Sequence, residues 1–446
     1  MIFEKSNKIN RRSFFKLGAA GTAGIISGVN VLAQDEEELP KIKEYRVLGR
    51  TGFKVSDIAM GGTRVTNPAV VRYAYDHGIN YFDTAEGYSN GQAERCIGES
   101  MPFMDRSKIF ITTKLHLNED ESEQSIISRF EQCLKRLNTD YADCLYMHNP
   151  DGKDMLNHTG FHSAVKQLRS ENKLKYIGLS SHGPRNRDET MESVLTAAAE
   201  DGRFDVMLMV FNFLNREAGE RVLAVCKKNN VGATAMKISP KFVKVDPYDP
   251  GNPTSEQKRR LDRMMSRGRS KEEAEKQLLE WMKEQEQTLK DYQPMFEKYG
   301  VKTEDDLYRG TIQWVLSHPE MHTACISFSD FDLVDKVVPV SGTRMSDAGS
   351  EMLQRYGKIL DKNYCRHGCT DCSSVCPENI PVSTIMRYSY YALQGREKDA
   401  IQKYTGLGQK NAIACHTCEA PCLNACPHHL NVQANLIHAH SMLTLT

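Results

Sequence analysis

Four residues in the first third of the chain carry side chains that could move a proton at a carbonyl: Asp83, Tyr88, Lys114 and His148. Each lies at the end of a short apolar run or just beyond it. Ile79 to Phe82 ends on Asp83 and enters the loop Thr84 to Gly91, which holds Tyr88. Ile109 to Thr113 ends on Lys114, and Cys144 to Met147 ends on His148. A phenol with a pKa of about 10 is a poor acid–base group near neutrality. A neighbouring ammonium favours the phenolate and would lower that value. A carboxylate can hold the ammonium in place, and at the end of a buried strand it needs such a partner. An imidazole can orient a carbonyl oxygen or share the proton. Taken singly, each residue has a structural alternative: a helix cap for Asp83, a turn for Tyr88, a solvated strand end for Lys114, a core histidine for His148. Together and in this order they favour chemistry.

The elements that must position them alternate between strand and helix. After a hairpin turning at Thr51-Gly52, strands are expected at 58–61, 81–82, 109–112, 144–147, 176–180, 206–211, 232–236 and 323–327. Helical periodicity follows each one, as at Ile126, Ile127, Phe130, Leu134 and Leu137. Eight such units predict an α/β fold, a closed (β/α)8 TIM barrel whose functional residues gather at the C-terminal ends of the strands. An open doubly wound sheet is the alternative, weakened because no Gly-rich dinucleotide fingerprint follows the first strand.

Residues 42–340 resemble the aldo/keto reductases. The resemblance rests on Phe82-Asp-Thr-Ala-Glu-Gly-Tyr88-Ser-Asn-Gly91, Ile111-Thr-Thr-Lys114, Leu145-Tyr-Met-His148-Asn-Pro150 and Tyr176-Ile-Gly-Leu-Ser180-Ser181. It implies that Tyr88 is the acid–base residue, Lys114 its tuner, Asp83 the partner of Lys114, and His148 a second carbonyl contact. It also implies a small carbonyl or alcohol substrate, sugar-like ones included, and NADP(H). The cofactor contacts carried over are Ser180, Ser181, Lys237 and Ser327, and here the sequence departs from the family. Ser181 replaces an Asn, Leu208 a Gln, and Met236 the Tyr that stacks on the nicotinamide. Asp330 and Asp332 stand in the phosphate-binding stretch, where they would repel a 2′-phosphate. The acid–base centre is thus better kept than the dinucleotide grip, and binding of NADP(H) is left open.

Residues 241–300 form an insertion after strand seven, charged and helical in pattern. It reads as a solvated excursion or as a lid over the catalytic rim. Beyond 341 lie two cysteine runs: Cys365, Cys369, Cys372 and Cys376-Pro377, then Cys415, Cys418, Cys422 and Cys426-Pro427. They resemble ferredoxin ligand runs, in which the fourth cysteine ligates the other cluster. Each run has one extra residue in a different gap, so the pairing stays open. The resemblance extends to a subgroup of aldo/keto reductases with such tails. It implies a mainly helical, ferredoxin-like iron–sulfur domain over 341–446 with two [4Fe–4S] clusters and a redox partner protein. Zinc is the alternative, with His367, His416, His428 and His429 near the runs. Disulfides are a further one. Cys96, Cys133, Cys144, Cys226 and Cys325 read as small core residues.

The N-terminus, Asn10-Arg-Arg-Ser-Phe-Phe-Lys16 followed by a mild apolar run to Ala33, resembles a twin-arginine export signal over 1–33. This implies a periplasmic or otherwise exported protein that meets the membrane only through an uncleaved signal. An amphipathic or disordered N-terminus with a chance Arg-Arg pair is the alternative. Lys+Arg and Asp+Glu balance at 58 each, so nothing suggests nucleic-acid binding. No apolar run beyond the N-terminus is long enough to span a bilayer. Two functions remain: an exported oxidoreductase with electrons linked to the clusters, or a non-enzymatic electron-transfer or interaction protein on a reductase scaffold.

Overall fold

The computed structural model describes residues 39–186, 188–239, 245–266, 268–360, 364–393 and 396–444. The expected signal at 1–33 lies outside the described residues. A short antiparallel hairpin, β1 (Tyr45–Val47) and β2 (Lys54–Ser56), comes first. Eight strands follow: β3 (Ile58–Gly61), β4 (Tyr81–Asp83), β5 (Phe110–Leu115), β6 (Ala142–His148), β7 (Leu174–Ser181), β8 (Val206–Val210), β9 (Gly232–Met236) and β10 (Thr323–Ser327). They run parallel and close in chain order, with β10 paired to both β3 and β9. This is the expected (β/α)8 barrel, and closure rules out the open sheet.

The strands are apolar on both faces because the barrel interior covers one and the helices cover the other. Leu48, Ala59, Tyr81, Phe110, Tyr146 and Val206 fill the inside, and the loop of the hairpin plugs it. Gly178 has no room for a side chain: a Cβ there would stand 2.3 Å from the Tyr146 ring and from the Val206 carbonyl. The helix Glu123–Leu137 shows how the outer layer is built. The Ser122 hydroxyl accepts from the Ser125 N–H at its start, and Asn138 in the left-handed region (φ 51°) ends it. Ile126, Phe130, Cys133 and Leu137 form its fully buried stripe. Truncating Phe130 to Ala would cost about 3–5 kcal/mol.

The insertion folds as helices Ser255–Ser266 and Lys271–Lys298. Leu261, Ala274, Leu278 and Met282 make a small cluster of their own. Leu289, Tyr292 and Phe296 instead join the barrel's core, against Tyr356 of helix Asp347–Leu360. The insertion is therefore half excursion and half core. Beyond it, helices Val382–Leu393, Glu397–Thr405 and Val432–Leu443 enclose a second core with the cysteine runs. Among the described residues of 341–446 there is no strand.

The tail docks on the loops after β7 and β8. Gly183 (φ +102°) meets Gly368 (φ +80°), and a Cβ on Gly183 would lie 2.7 Å from the Gly368 Cα. Asn215 Nδ2 donates to the His367 carbonyl at 2.8 Å, and Arg366 Nε to the Leu214 carbonyl at 3.0 Å.

Candidate active site

Strands β4, β5 and β6 end side by side and bring the four predicted residues to one rim of the barrel. Lys114 is fully buried; its Nζ donates to Asp83 Oδ1 at 2.5 Å and to the Thr84 carbonyl at 2.7 Å. Burial opposes charge on Lys114, but Asp83 and Tyr88 outweigh it and hold the ammonium above its usual range. Burial pushes the Asp83 carboxyl up against the pull of Lys114. Tyr88 lies half-buried over the pair, with Lys114 Nζ 5.0 Å from its ring centroid and the His148 ring edge-on at 5.8 Å. The sequence reading has Lys114 lowering the Tyr88 phenol. In the structure burial wins and pushes it up to about 12, with Lys114 pulling the other way. A closed site costs the phenolate more solvation than one ammonium returns.

His148 stacks on His116, with ring centroids 4.0 Å apart. Burial, then His116, Lys114, Lys403 and Arg387, holds His148 well below the imidazole range. Burial, then Lys403 and Arg387, takes His116 down to about 4. Both rings are neutral at pH 7 and act as hydrogen-bonding groups. His116 escapes the sequence reading; its signal was a second histidine two positions past Lys114.

These residues line a chamber of about 710 Å³, within the size range of small-molecule sites. Of the four expected cofactor contacts, Lys237 and Ser327 line it, and Ser180 and Ser181 do not. Ser327 Oγ shares a hydrogen bond with Thr63 Oγ1 at 2.5 Å. Ser181 Oγ accepts from the Gly183 N–H at 3.1 Å. Ser180 sits in register between His148 and Leu208, and its buried Oγ has no protein partner. Leu208 and Met236 line the chamber and belong to the barrel-interior cluster, and Met236 also packs against the outer core. Cys325, expected as a core residue, also faces it, because β10 alternates and Ala324 and Ile326 take the outward positions. Asp330 caps helix Phe331–Val337, accepting from the Leu333 N–H at 2.9 Å.

No described residue of the insertion lines the chamber; the tail covers it instead. Arg387, Tyr388 and Tyr391 from helix Val382–Leu393, Lys403 from helix Glu397–Thr405 and Arg396 at the start of that helix form the other wall. Lys237 Nζ lies 4.4 Å from the Tyr391 ring centroid and Arg396 Cζ 4.6 Å. Sequence alone gives no sign of this, because a helical pattern between the cysteine runs does not show which face meets the barrel.

The cysteine runs pair across. Cys365, Cys369 and Cys372 line one small cavity together with Cys426. Cys415, Cys418 and Cys422 line a second with Cys376. Among the described residues no disulfide forms, and no group of three or more His, Cys, Asp or Glu is placed to hold a metal ion.

Residues 61–356 match the family model described as the aldo/keto reductase family. The chain belongs to the aldo/keto reductase family. Among relatives of this chain, the aldo-keto reductase AMT2 of Alternaria alternata is 29% identical over 236 residues, covering 42% of this chain and 62% of the relative. The D-threo-aldose 1-dehydrogenase of a Pseudomonas species is 26% identical over 200 residues, covering 38% and 58%. The chain thus spans less than two thirds of the length of these curated relatives. The solved structure of the aldo-keto reductase AKR11C1 from Bacillus halodurans, in its holo form, aligns with a TM-score of 0.49 at 20% identity, over 70% of this chain and 95% of that one.

Proposed function

We propose that this reductase interconverts a small carbonyl compound and its alcohol in the chamber, with Tyr88 giving and taking the proton. The carrying observation is the buried Lys114–Asp83 pair directly beneath the Tyr88 ring, with the neutral His148 across from it. Asp83 fixes Lys114, and Lys114 supplies the positive field that makes proton release from Tyr88 less costly. His148 donates a hydrogen bond to the substrate oxygen and aligns it with the phenol. His116, stacked on His148, holds that ring in place. The tail helices close the chamber and exclude water, which strengthens each of these interactions.

NADP(H), when bound, supplies or accepts the hydride. Its fit is supported by polar groups on the chamber wall; the orphaned Ser180 Oγ, which does not line the chamber, is not one of them. Thr63, Lys237 and Ser327 would hold the polar parts, and Leu208 and Met236 would give an apolar floor. The kinship with a D-threo-aldose 1-dehydrogenase supports sugar-like substrates.

The cysteine sets support a reading with two [4Fe–4S] clusters, because each cavity draws three cysteines from one run and the fourth from the other, as in two-cluster ferredoxins. The clusters would supply one-electron transfer to a redox partner protein. Tyr364, adjacent to Cys365, lies 6.2 Å ring to ring from Tyr390, and Tyr390 lies 6.3 Å from Tyr391 at the chamber wall. This closeness supports a link between tail and chamber. The Arg11-Arg12 motif supports export by the twin-arginine route to the periplasm, a route that carries folded protein with its clusters in place.

The test is isotope transfer. Anaerobically purified protein is incubated with NADPH deuterated at C4 and a panel of aldoses and small ketones. Deuterium at the new carbinol carbon is the expected result; a panel with no labelled alcohol would refute the proposal.

A further inference from the structure

The wall that the tail adds to the chamber is cationic. Arg387, Arg396 and Lys403 stand over the rim beside Lys237 and Arg185, and the lining acids are Asp83, Glu119 and Asp151. Asp83 is bound to Lys114, and Asp151 accepts from Arg185 Nε at 2.7 Å. Arg396 and Lys403 share Asp399, each at 2.6 Å. Arg387 differs. It is 7% exposed, its Nε has no protein partner, and among the described residues no carboxylate pairs with it. Its near neighbours are phenols, not carboxylates: it hydrogen-bonds Tyr388, whose ring centroid is 5.7 Å from Cζ, and its charge acts on Tyr391. A buried guanidinium without an anion is unfavourable, so the site is built for an anion from outside the chain. Its place in the chamber is also defined. Arg387 lines the same chamber as His116, His148 and His182, the histidine side on which the substrate oxygen would sit.

We propose that Arg387, assisted by Lys403, receives an anionic group on the substrate, so that the substrate is a small carbonyl compound bearing a carboxylate or phosphate. This rests on the carbonyl reading given above. Arg387 offers a planar fork of donors suited to either anion, and Lys403 adds a point charge. The barrel supplies proton chemistry and the tail supplies selection, which makes docking of the tail a condition for specificity.

The test uses the full chain purified anaerobically, with two matched pairs: succinic semialdehyde against butanal, and glyceraldehyde 3-phosphate against glyceraldehyde. The wild type should prefer the anionic member of at least one pair in kcat/KM. Arg387→Gln should lower that preference by about 30-fold, the span of one charge-assisted contact. Arg387→Lys should restore part of it, and Lys403→Gln should lower it less. An unchanged preference would overturn the proposal. So would a rise in KM for NADPH without a change of preference, since the cation would then serve the dinucleotide. If no aldehyde is consumed, the carbonyl reading fails by itself, and calorimetric titration with succinate at saturating NADP⁺ decides this one. Wild-type binding weakened tenfold or more by Arg387→Gln supports it; no wild-type binding, or equal binding, overturns it.

Discussion

Replacing Lys114 by Met should remove the cation and leave Asp83 buried at 4% exposure with its one ion-pair partner gone. Breaking a buried pair from one side costs about 3–5 kcal/mol, because the remaining charge keeps its desolvation and loses its compensation. Burial already pushes the Asp83 carboxyl up against Lys114, and without Lys114 it rises further. The unfolded value is about 3.9, so the folded group binds its proton more tightly than the unfolded one. The deficit should therefore be smallest below about pH 4 and grow as pH rises through the folded pKa. Asp83→Asn combined with Lys114→Met removes both charges and should recover all but about 1–2 kcal/mol. Urea unfolding of wild type, both single variants and the double variant at pH 4 and pH 7 measures each term. A loss below about 1 kcal/mol in Lys114→Met, or a double variant as unstable as the two single losses added, would refute the reasoning.

Tyr391 should titrate near pH 8: burial raises it, but Lys237, Arg387, Arg396 and Lys403 together outweigh burial and bring it down to about 8. Since the unfolded value is about 10, its contribution to stability is full above that pH and is lost as pH falls through about 8. Absorbance at 295 nm should show one early phenol that Tyr391→Phe removes, and no such phenol would contradict this. Gly183→Val places a side chain against the Gly368 backbone and should loosen the tail. Faster hydrogen exchange across 382–405 would show it, and unchanged exchange would count against the docking. Crossed cysteine pairing predicts that Cys376→Ser combined with Cys415→Ser leaves about four irons per chain, as either does alone, whereas Cys376→Ser with Cys365→Ser leaves none. Four irons remaining in the second pair would contradict the pairing.

The barrel and its rim were legible because strand ends and apolar periodicity are local signals. Asp83, Lys114 and His148 each close an apolar run, and Tyr88 sits in the one loop that must lie beside them. The Tyr88 phenol was harder to read, since its pKa depends on how completely the site is closed. That closure comes from Arg387, Tyr391 and Lys403, about three hundred residues away in sequence, and the Gly183–Gly368 contact with the bonds to the His367 and Leu214 carbonyls reveals the docking. Ser180 and Ser181 lie in β7 where expected, but a strand's alternation sets which side chain reaches a ligand, and neither lines the chamber. The charged sequence of the insertion reads as a solvated excursion or, from its place after β9 at the rim, as a lid; Tyr292 and Phe296 instead turn one end of it into core.

The most direct measurement is the kcat of carbonyl reduction by Tyr88→Phe, made alongside the affinity for NADP⁺. General acid catalysis by a positioned group contributes about 10²–10⁴-fold, so the account predicts a fall in kcat of that order with cofactor affinity retained. A variant that reduces the same carbonyl at the wild-type rate would contradict it.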